Sequence, residues 1–425
     1  MISVLILSFA LLLLLGMPIS ILLLTTTAIV IFFFTNIPLT ILVQQLFNAL
    51  DKSVLMAIPY FILAGGIMTE GALAKRLIDL MNLVVGRFRG GAAMATVVAC
   101  VFFAALSGSS PATVVAIGSI MFPALIKAGY SEKFTTGLIT SAGSLGIVIP
   151  PSIPMILYCL IMNVSVAELF MAGIVPGLLI GSVLMGYTYI LARRHGWRQE
   201  KTYTQGEVFK IIREGLWGMI LPIIVLGGIY SGLFTPTEAA AVSVVYALGV
   251  EFLVFREMNL KKLFKVTLDS AVLSASLLFI LACAMTFVWF LTAEQLPNMM
   301  ADFIISHVSS WWMFMLLVTI LFLITGTAMD AVSAMMVLSP LFIETLNRFG
   351  IDYIHYGIVM VLMIEFGFLT PPFGLNLFVA MGITKKPLTS VARATFPFLI
   401  LLLLCVALIT FIPEISLFLP KLFLR

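Results

Sequence analysis

Long apolar segments occupy most of this sequence, and they restrict the chain to a membrane. Hydrophobic residues make up 62% of the 425 residues and charged ones only 10%, whereas soluble domains carry roughly 25% charge. A soluble fold cannot bury so much apolar surface, and the low charge also excludes disorder. Crossing a bilayer takes about 20 apolar residues, and the segments that approach or exceed this length lie at about 1–34, 54–71, 93–126, 135–162, 169–192, 214–234, 236–255, 268–296, 311–346, 354–384 and 394–420.

The segments lack the alternation of barrel strands, so we expect an all-α polytopic membrane protein. The N-terminus has no basic region before its apolar run, which predicts a retained span rather than a cleaved signal peptide. Residues 1–34 fit either one long helix or two short ones broken at Gly16-Met17-Pro18. The positive-inside rule places the basic patches in the cytoplasm, and these patches are 75–89, 193–213, 256–265 and 385–393.

Two apolar segments contain a polar interruption at their centre. Residues 93–126 lie between basic stretches and contain Ser107-Gly108-Ser109-Ser110-Pro111, a run that breaks a helix. Each half is too short for a full span, so a re-entrant hairpin is favoured over two crossings. Residues 311–346 contain Thr325-Gly326-Thr327-Ala328-Met329-Asp330 at the same place. We expect a second hairpin there, entering from the opposite face.

An ordered series of matches divides the chain into two similar halves. Phe61-Ile62-Leu63-Ala64 recurs as Phe279-Ile280-Leu281-Ala282, at an offset of 218 positions. The two polar interruptions keep that offset, and a Gly-x3-Pro-Pro motif at Gly146 recurs at Gly367, 221 positions later. Repeats of inverted topology with interrupted helices at matching positions are typical of secondary transporters.

Four segments, at 107–111, 144–151, 325–330 and 366–372, are predicted to be unwound. Lipid cannot satisfy the backbone groups that such breaks free, so they must face protein, water or a ligand. Carbonyl oxygens with Ser and Thr hydroxyls suit Na⁺. The first two segments would form one cation site and the last two its mirror; the alternative is that the breaks only kink packed helices. The candidate ligands of two or more Na⁺ ions, bound mainly through backbone carbonyls, are Ser107, Gly108, Ser109, Gly143, Gly146, Pro150, Thr325, Gly326, Thr327, Asp330, Gly367 and Thr370.

The same breaks predict an anion site. The N-termini of half-helices present amides and a partial positive charge. Pro150-Pro151 and Pro371-Pro372 are expected to start new half-helices, because Pro is tolerated in a first turn. Asn376 follows the second pair and is expected to donate to a substrate carboxylate. The candidate substrate residues are Ser109, Ser110, Pro111, Pro151, Thr327, Pro372 and Asn376.

Acidic residues at membrane depth are costly and usually functional. Asp330 and Glu365 each fit a Na⁺ ligand, a proton carrier or the partner of a buried cation. Asp330 fits a helix cap equally well, and a structural role is open for Glu365. Glu238, in Thr235-Pro-Thr-Glu, is expected to cap a helix at the outer surface.

These motifs resemble the large membrane subunit of TRAP (tripartite ATP-independent periplasmic) transporters nearly end to end. The segments that carry the likeness are SGSSPATVVAIGSIMFPAL (107–125), SAGSLGIVIPPSIPMILY (141–158), GIYSGLFTPTEAAAVSVVYAL (228–248), GTAMDAVSAMMVLSPLF (326–342) and EFGFLTPPFGLNLFV (365–379).

The resemblance implies an elevator-type ion transporter, in which a transport domain made of the hairpins and broken helices moves against a scaffold. The implied division is first-half scaffold and arm helices at 1–92, the first hairpin and broken helix at 93–162, a scaffold helix and cytoplasmic connector at 163–213, second-half scaffold and arm helices at 214–310, the second hairpin and broken helix at 311–384, and a C-terminal helix at 385–425.

The resemblance also implies the partners and the substrate class. Members of the family act in the bacterial inner membrane with a small four-span membrane subunit, here a separate chain, and with a periplasmic binding protein. That protein captures an organic acid of the sialic-acid or C4-dicarboxylate class, and Na⁺ usually drives uptake. The sialic-acid branch is suspected, although no residue here decides the substrate.

Three alternatives remain at this point. An intramembrane enzyme needs a nucleophile–base pair or metal ligands such as HExxH, and the sequence has neither. A channel or scaffold subunit does not need two inverted hairpins. Coupling to H⁺ through Asp330 or Glu365 is the closest competitor to Na⁺, whereas ATP drive is disfavoured because no GxxxxGK[ST] motif occurs.

Overall fold

The computed structural model describes residues 2–197, 203–328, 331–372 and 374–424, apart from the side chains of Ile2, Thr327 and Ala328. Within these ranges the chain forms twenty-one α-helices and no strand, which confirms the expected all-α fold.

Ten α-helices lie in the first half, before the connector. They are α1 (Ile2–Leu14), α2 (Ile19–Phe34), α3 (Thr40–Leu50), α4 (Ala57–Glu70), α5 (Leu73–Val85), α6 (Gly91–Ser107), α7 (Ser110–Lys127), α8 (Glu132–Gly143), α9 (Ile153–Met162) and α10 (Val166–His195), with 3-10 turns at Ser53–Met56 and Ser144–Ile147.

Eleven α-helices follow in the described part of the second half. Its helices are α11 (Gln205–Tyr230), α12 (Pro236–Gly249) continued by a π-helical turn at Val250–Phe255, α13 (Leu260–Ala293), α14 (Leu296–His307), α15 (Trp311–Ala328), α16 (Ala331–Leu341), α17 (Ile343–Phe349), α18 (Tyr353–Leu369), α19 (Leu375–Thr384), α20 (Leu388–Phe411) and α21 (Glu414–Phe423).

Six helical stretches of the described chain are long and apolar enough to cross a membrane, or seven if α14 and α15, bent by 118°, count as one span. The other apolar segments are divided into helices of 10–17 residues. The N-terminal segment is one of these, because Gly16-Met17-Pro18 separates α1 from α2. Interrupted helices thus occur throughout the described fold. Backbone that is not helical needs protein or a cavity around it at membrane depth, so these interruptions are expected to lie inside the protein.

Helix starts follow the local sequence closely. Glu238 caps α12 as expected: its carboxylate accepts from the Thr235 amide at 2.8 Å, and the Thr235 hydroxyl accepts from the Glu238 amide at 3.3 Å. Thr204 and Glu207 form the same capping box at the start of α11. In both boxes two backbone donors that the helix leaves free gain acceptors.

Ion pairs and backbone contacts join the loops that were predicted to share one side of the membrane. Arg76 lies 2.9 Å from the carboxylate of Glu214 and 3.6 Å from that of Glu257. The Gly90 amide donates to the Trp197 carbonyl at 3.0 Å. The basic patches 75–89, 193–213 and 256–265 therefore meet, as a shared side requires; their cytoplasmic location stays a prediction.

A buried acid that hydropathy did not single out links the two halves. Glu251, in the π-helical turn, is fully buried, and its carboxylate accepts from the amides of Ala72 and Leu73 at 2.9 Å. These amides open α5, so the carboxylate caps that helix from 179 residues away along the chain. Gly71 lies against it, and a Cβ at this glycine would meet the carboxylate.

The hairpin helices pack across the halves. α7 contacts α8 of its own half and α19 of the other, whereas α16 contacts α18 of its own half and α9 of the other. Each half-helix that follows a break therefore rests on the hairpin of the opposite half. This crossed packing brings all four breaks into one region.

Candidate functional site

The first hairpin breaks where the sequence predicts. α6 ends at Ser107, and Gly108 closes it in the left-handed conformation with a φ of 60°. Ser109 is extended, and α7 begins at Ser110 with Pro111 in its first turn. Glycine adopts this φ without a steric penalty, and proline suits a first turn because its missing N–H has no helical partner there.

The tip of this hairpin sits directly on the first broken helix. The Ile153 amide donates to the Gly108 carbonyl at 3.2 Å, and the Ser110 hydroxyl donates to the Gly143 carbonyl at 3.3 Å. A Cβ at Gly146 would lie 2.6 Å from the Ser109 carbonyl oxygen, so the two segments touch. The predicted pairing of 107–110 with 143–150 is therefore present in the fold.

The broken helices differ in detail from the prediction. Ser144–Ile147 form a 3-10 turn, so that part of 144–151 is not unwound. Pro150 and Pro151 precede α9 rather than start it, because Ser152 is the N-cap and accepts from the Met155 amide at 3.4 Å. Serine has a side-chain acceptor for a free amide and proline has none, so the serine decides where the helix begins. In the other half Pro372 likewise precedes α19, whose N-cap is Gly374.

The described part of the second predicted hairpin stays helical further than expected, to Ala328. Thr325 and Gly326 are helical residues of α15, and the Thr325 hydroxyl donates to the Leu321 carbonyl at 2.9 Å. This half has Met329 where the first has Pro111, so nothing prevents the helix from continuing to Ala328. The Thr327 side chain and the whole of Asp330 lie outside the described residues.

The second broken helix also continues further than expected. α18 includes Gly367 and ends at Leu369, so the break begins at Thr370, whose hydroxyl donates back to the Phe366 carbonyl at 2.7 Å. A Cβ at Gly367 would lie 3.4 Å from the Gly326 carbonyl oxygen. The second predicted pairing, of 325–327 with 367–370, is thus also close in space, although its partners are helical.

Two buried contacts connect the two pairs, and neither was predicted. The Asn376 amide nitrogen donates to the Ser110 hydroxyl at 2.6 Å, while its side-chain oxygen has no hydrogen-bond partner among the residues that the structure describes. The Ser144 hydroxyl contacts the carboxylate of fully buried Glu365, 221 positions away, and also the Ser141 carbonyl at 2.6 Å. Ser144 and Glu365 are equivalent positions of the repeat, which is the only sequence signal that relates them.

Two cavities lie beside the paired segments. One, of about 160 Å³, is lined by Ser107 and Ser109 of the hairpin tip and by Asp269 and Ser270 of α13. Asp269 is an acid inside a long apolar helix, which is the signal that singled out Asp330, so the sequence contained the clue. The other, of about 240 Å³, is almost entirely apolar and reaches Gly367 and Thr370.

Carbonyl and hydroxyl oxygens dominate the region. The described residues include no group of three or more His, Cys, Asp or Glu side chains that could hold a metal ion. A cation at the first break would therefore be held mainly by backbone, Ser and Thr oxygens, with the carboxylate of Asp269 in the cavity that Ser107 and Ser109 line.

Comparison with known proteins assigns this chain to a family. Residues 6–415 match the family described as "Tripartite ATP-independent periplasmic transporter, DctM component". The chain belongs to this TRAP transporter family. The resemblance of the motifs is thus confirmed over nearly the whole chain.

Related TRAP large permeases cover the chain end to end. The C4-dicarboxylate large permease DctM of Pseudomonas aeruginosa is 47% identical, over 89% of this chain and 88% of that protein. DctM of Rhodobacter capsulatus is 41% identical, over 97% of both chains. The isethionate permease DctMQ of Oleidesulfovibrio alaskensis is 37% identical over 96% of this chain, but over only 65% of its own length.

A solved transporter shares the fold of this TRAP permease. The crystal structure of YdaH from Alcanivorax borkumensis superimposes with a TM-score of 0.68, covering 95% of this chain and 97% of that one at 15% identity. The protein is thus a multi-pass membrane permease of a TRAP transporter, and an intramembrane enzyme is excluded because the relatives are transporter permease subunits.

Proposed function

We propose that this permease imports an organic acid anion by an elevator movement driven by a Na⁺ gradient across the bacterial inner membrane. We favour a C4-dicarboxylate over sialic acid as the substrate, because relatives of 47% and 41% identity are named for C4-dicarboxylates. The single observation that carries the proposal is the seating of the first hairpin tip on the first broken helix. It gathers hydroxyl and carbonyl oxygens between two interrupted helices, the arrangement that binds coupling ions in secondary transporters.

The ion sites are proposed at the two pairs of breaks. At the first, the proposed ligands are Ser107, Gly108 and Ser109 with Gly143, Gly146 and Pro150, whose own oxygens are uncharged, and Asp269 adds a carboxylate in the adjoining cavity. Such hard donors suit Na⁺. At the second, Thr325, Gly326 and Thr327 would act with Asp330, Gly367 and Thr370. Asn376 supports coupling between the two, because it belongs to the second half and binds Ser110 of the first.

The substrate is proposed to bind beside the first hairpin tip. Ser109 lines the 160 Å³ cavity there. The first residues of α7, which begins at Ser110, carry free backbone amides that can donate to an anion. The N-termini of α9 and α19 supply amides from the other breaks, near Pro151 and Pro372. Asp269 in the same cavity would repel an anion, so we propose that its carboxylate attracts the coupling cation rather than the substrate.

We propose two partners, a separate four-span membrane subunit and a periplasmic binding protein. The family name requires three components. The DctMQ relative is longer than this chain, and its name adds a Q to DctM. Both facts support a small membrane subunit that is fused to the large one there.

Ion dependence tests the proposal. With both partners in proteoliposomes, uptake of labelled C4-dicarboxylate should require an inward Na⁺ gradient and should be absent in choline. Ser109→Trp should abolish this uptake while the protein still inserts, since the bulky ring fills the hairpin tip. Equal uptake in choline with a pH gradient would contradict Na⁺ drive, and normal uptake by Ser109→Trp would contradict the tip site.

One observation keeps proton coupling as a second candidate. Glu365 is fully buried, and its described hydrogen-bond partner is a neutral hydroxyl. Under Na⁺ coupling, Glu365→Gln should keep a Na⁺-dependent uptake. If proton coupling operates, Glu365→Gln or Asp330→Asn should abolish the response to a pH gradient.

A further inference from the structure

A polar cavity of about 320 Å³ lies away from the breaks, where α8 and α20 begin. Its lining comes from the first two turns of these helices and from the loop before α20. The lining residues are Glu132, Lys133, Thr136, Lys386, Thr389, Ser390, Arg393 and Ala394. The predicted topology places both helix starts on the cytoplasmic side, and the Lys386–Glu132 ion pair of 3.1 Å holds them together.

The cavity carries excess positive charge. Three basic side chains face one acid, and the acid is paired with Lys386. Within the part of the chain that the structure describes, Lys133 and Arg393 have no ion pair or side-chain hydrogen bond. Free amides and helix dipoles at the starts of α8 and α20 add to this charge. A phosphate fits such a site better than a carboxylate-bearing side chain, because several cations and hydroxyls converge on it.

The surface next to the cavity is apolar and follows α20. Phe396, Ile400 and Leu404 are 59%, 46% and 63% exposed. They follow Arg393 at intervals of three, seven and eleven residues, which places all four on one helical face. Leu403, about 15 Å beyond Arg393 along the helix, opens into the apolar 240 Å³ cavity. Charge followed by an exposed apolar helix face matches a phospholipid, with the headgroup at one end and an acyl chain along the helix.

We infer that this cavity binds the phosphate of an anionic phospholipid of the cytoplasmic leaflet, with an acyl chain along α20. Basic pockets between membrane helices on this side bind such headgroups. The lipid would fasten α8 to α20, where the packing is already tight: a Cβ at Gly137 of α8 would lie 2.2 Å from the Ala394 carbonyl oxygen. α8 ends at Gly143, whose carbonyl accepts from Ser110 of the first hairpin. A lipid that holds the start of α8 would therefore also help to position the first break. The inference is independent of the transported substrate and the coupling ion.

Thermal denaturation of the purified full chain in uncharged detergent tests the site. Titration with phosphatidylglycerol should raise the midpoint of unfolding, whereas phosphatidylethanolamine or inorganic phosphate should leave it unchanged. Lys133→Gln with Arg393→Gln should weaken the apparent affinity for phosphatidylglycerol about tenfold or more, from the loss of two charges next to the phosphate. The matched control is Arg193→Gln with Arg194→Gln, which removes equal charge from another patch of the same predicted side and should keep wild-type affinity.

Three results would overturn the inference. An equal shift with inorganic phosphate would assign the cavity to a free anion. Equal weakening by both double variants would show a diffuse attraction of the basic surface. Loss of the lipid response when the small membrane subunit is added, together with crosslinking of that subunit to position 396, would show that a protein covers this face.

Discussion

Single buried side chains hold positions that hydropathy cannot reveal. Glu251 and Asn376 are both fully buried, and each bonds to a residue of the opposite half. Such groups are costly to bury unless they are hydrogen-bonded. The Glu251 carboxylate therefore fixes α5 relative to the π-helical turn, because any other position leaves it buried without a partner, and the amide nitrogen of Asn376 joins α19 to α7 in the same way.

Removing the Glu251 carboxylate should destabilise the protein measurably. Glu251→Ala leaves the amides of Ala72 and Leu73 buried without an acceptor, at a cost of about 2–4 kcal/mol. Glu251→Gln keeps one acceptor oxygen and should lose less. Denaturant titration of the purified chain measures both variants, and wild-type stability of the alanine variant would refute the capping role.

At the scale of elements, each half contains a hairpin and a broken helix that touch. Close approaches occur at glycines. At Gly146 a Cβ would lie 2.6 Å from the Ser109 carbonyl oxygen, and at Gly367 it would lie 2.7 Å from the Cβ of Ala331, the first residue of α16. The elements depend on these contacts, since neither hairpin tip can satisfy its backbone groups in lipid.

Gly146→Ala should therefore impair transport while the protein still folds and inserts. Its new Cβ would lie 2.6 Å from the Ser109 carbonyl oxygen and the Thr113 hydroxyl, which forces the tip away from the 3-10 turn. We expect at least a tenfold loss of uptake with normal insertion. Gly186→Ala is the matched control, because nothing lies within 4 Å of its Cβ. Normal uptake by both variants would show that the close approach is dispensable.

In the whole molecule, the two halves are joined at their loops as well as at the breaks. Arg76 of the first half pairs with Glu214 and Glu257 of the second, and all three are at least partly exposed. Exposed pairs contribute little singly. Their importance is geometric, because they bring together loops that the positive-inside rule assigns to one side.

A charge swap tests this junction. Arg76→Glu places like charges together and should lower the midpoint of thermal unfolding by about 1 °C, for a cost of about 1 kcal/mol. Arg76→Glu with Glu214→Arg should restore most of the loss. If the double variant is no more stable than the single one, the pair does not join the halves.

Patterns in the sequence were sufficient for the class of fold and for the positions of some of its elements. Apolar length predicts membrane helices, Thr235 and Glu238 predict a cap, and the Ser-Gly-Ser-Ser-Pro run predicts the first break. These are local effects, decided by a few neighbouring residues. The second break shows the limit, because a Thr-Gly-Thr run without proline stays helical unless its surroundings break it.

The sequence by itself determined that this chain is a helical membrane protein and where its first hairpin breaks, since apolar length and helix breakers act locally. Only the tertiary structure decided which groups meet: Asn376 with Ser110, Ser144 with Glu365, Glu251 with α5, and the basic cavity between α8 and α20. The reason is that a buried polar group takes its partner from whatever packing brings within about 3 Å. In this fold the partners come from the opposite half, often some two hundred residues away.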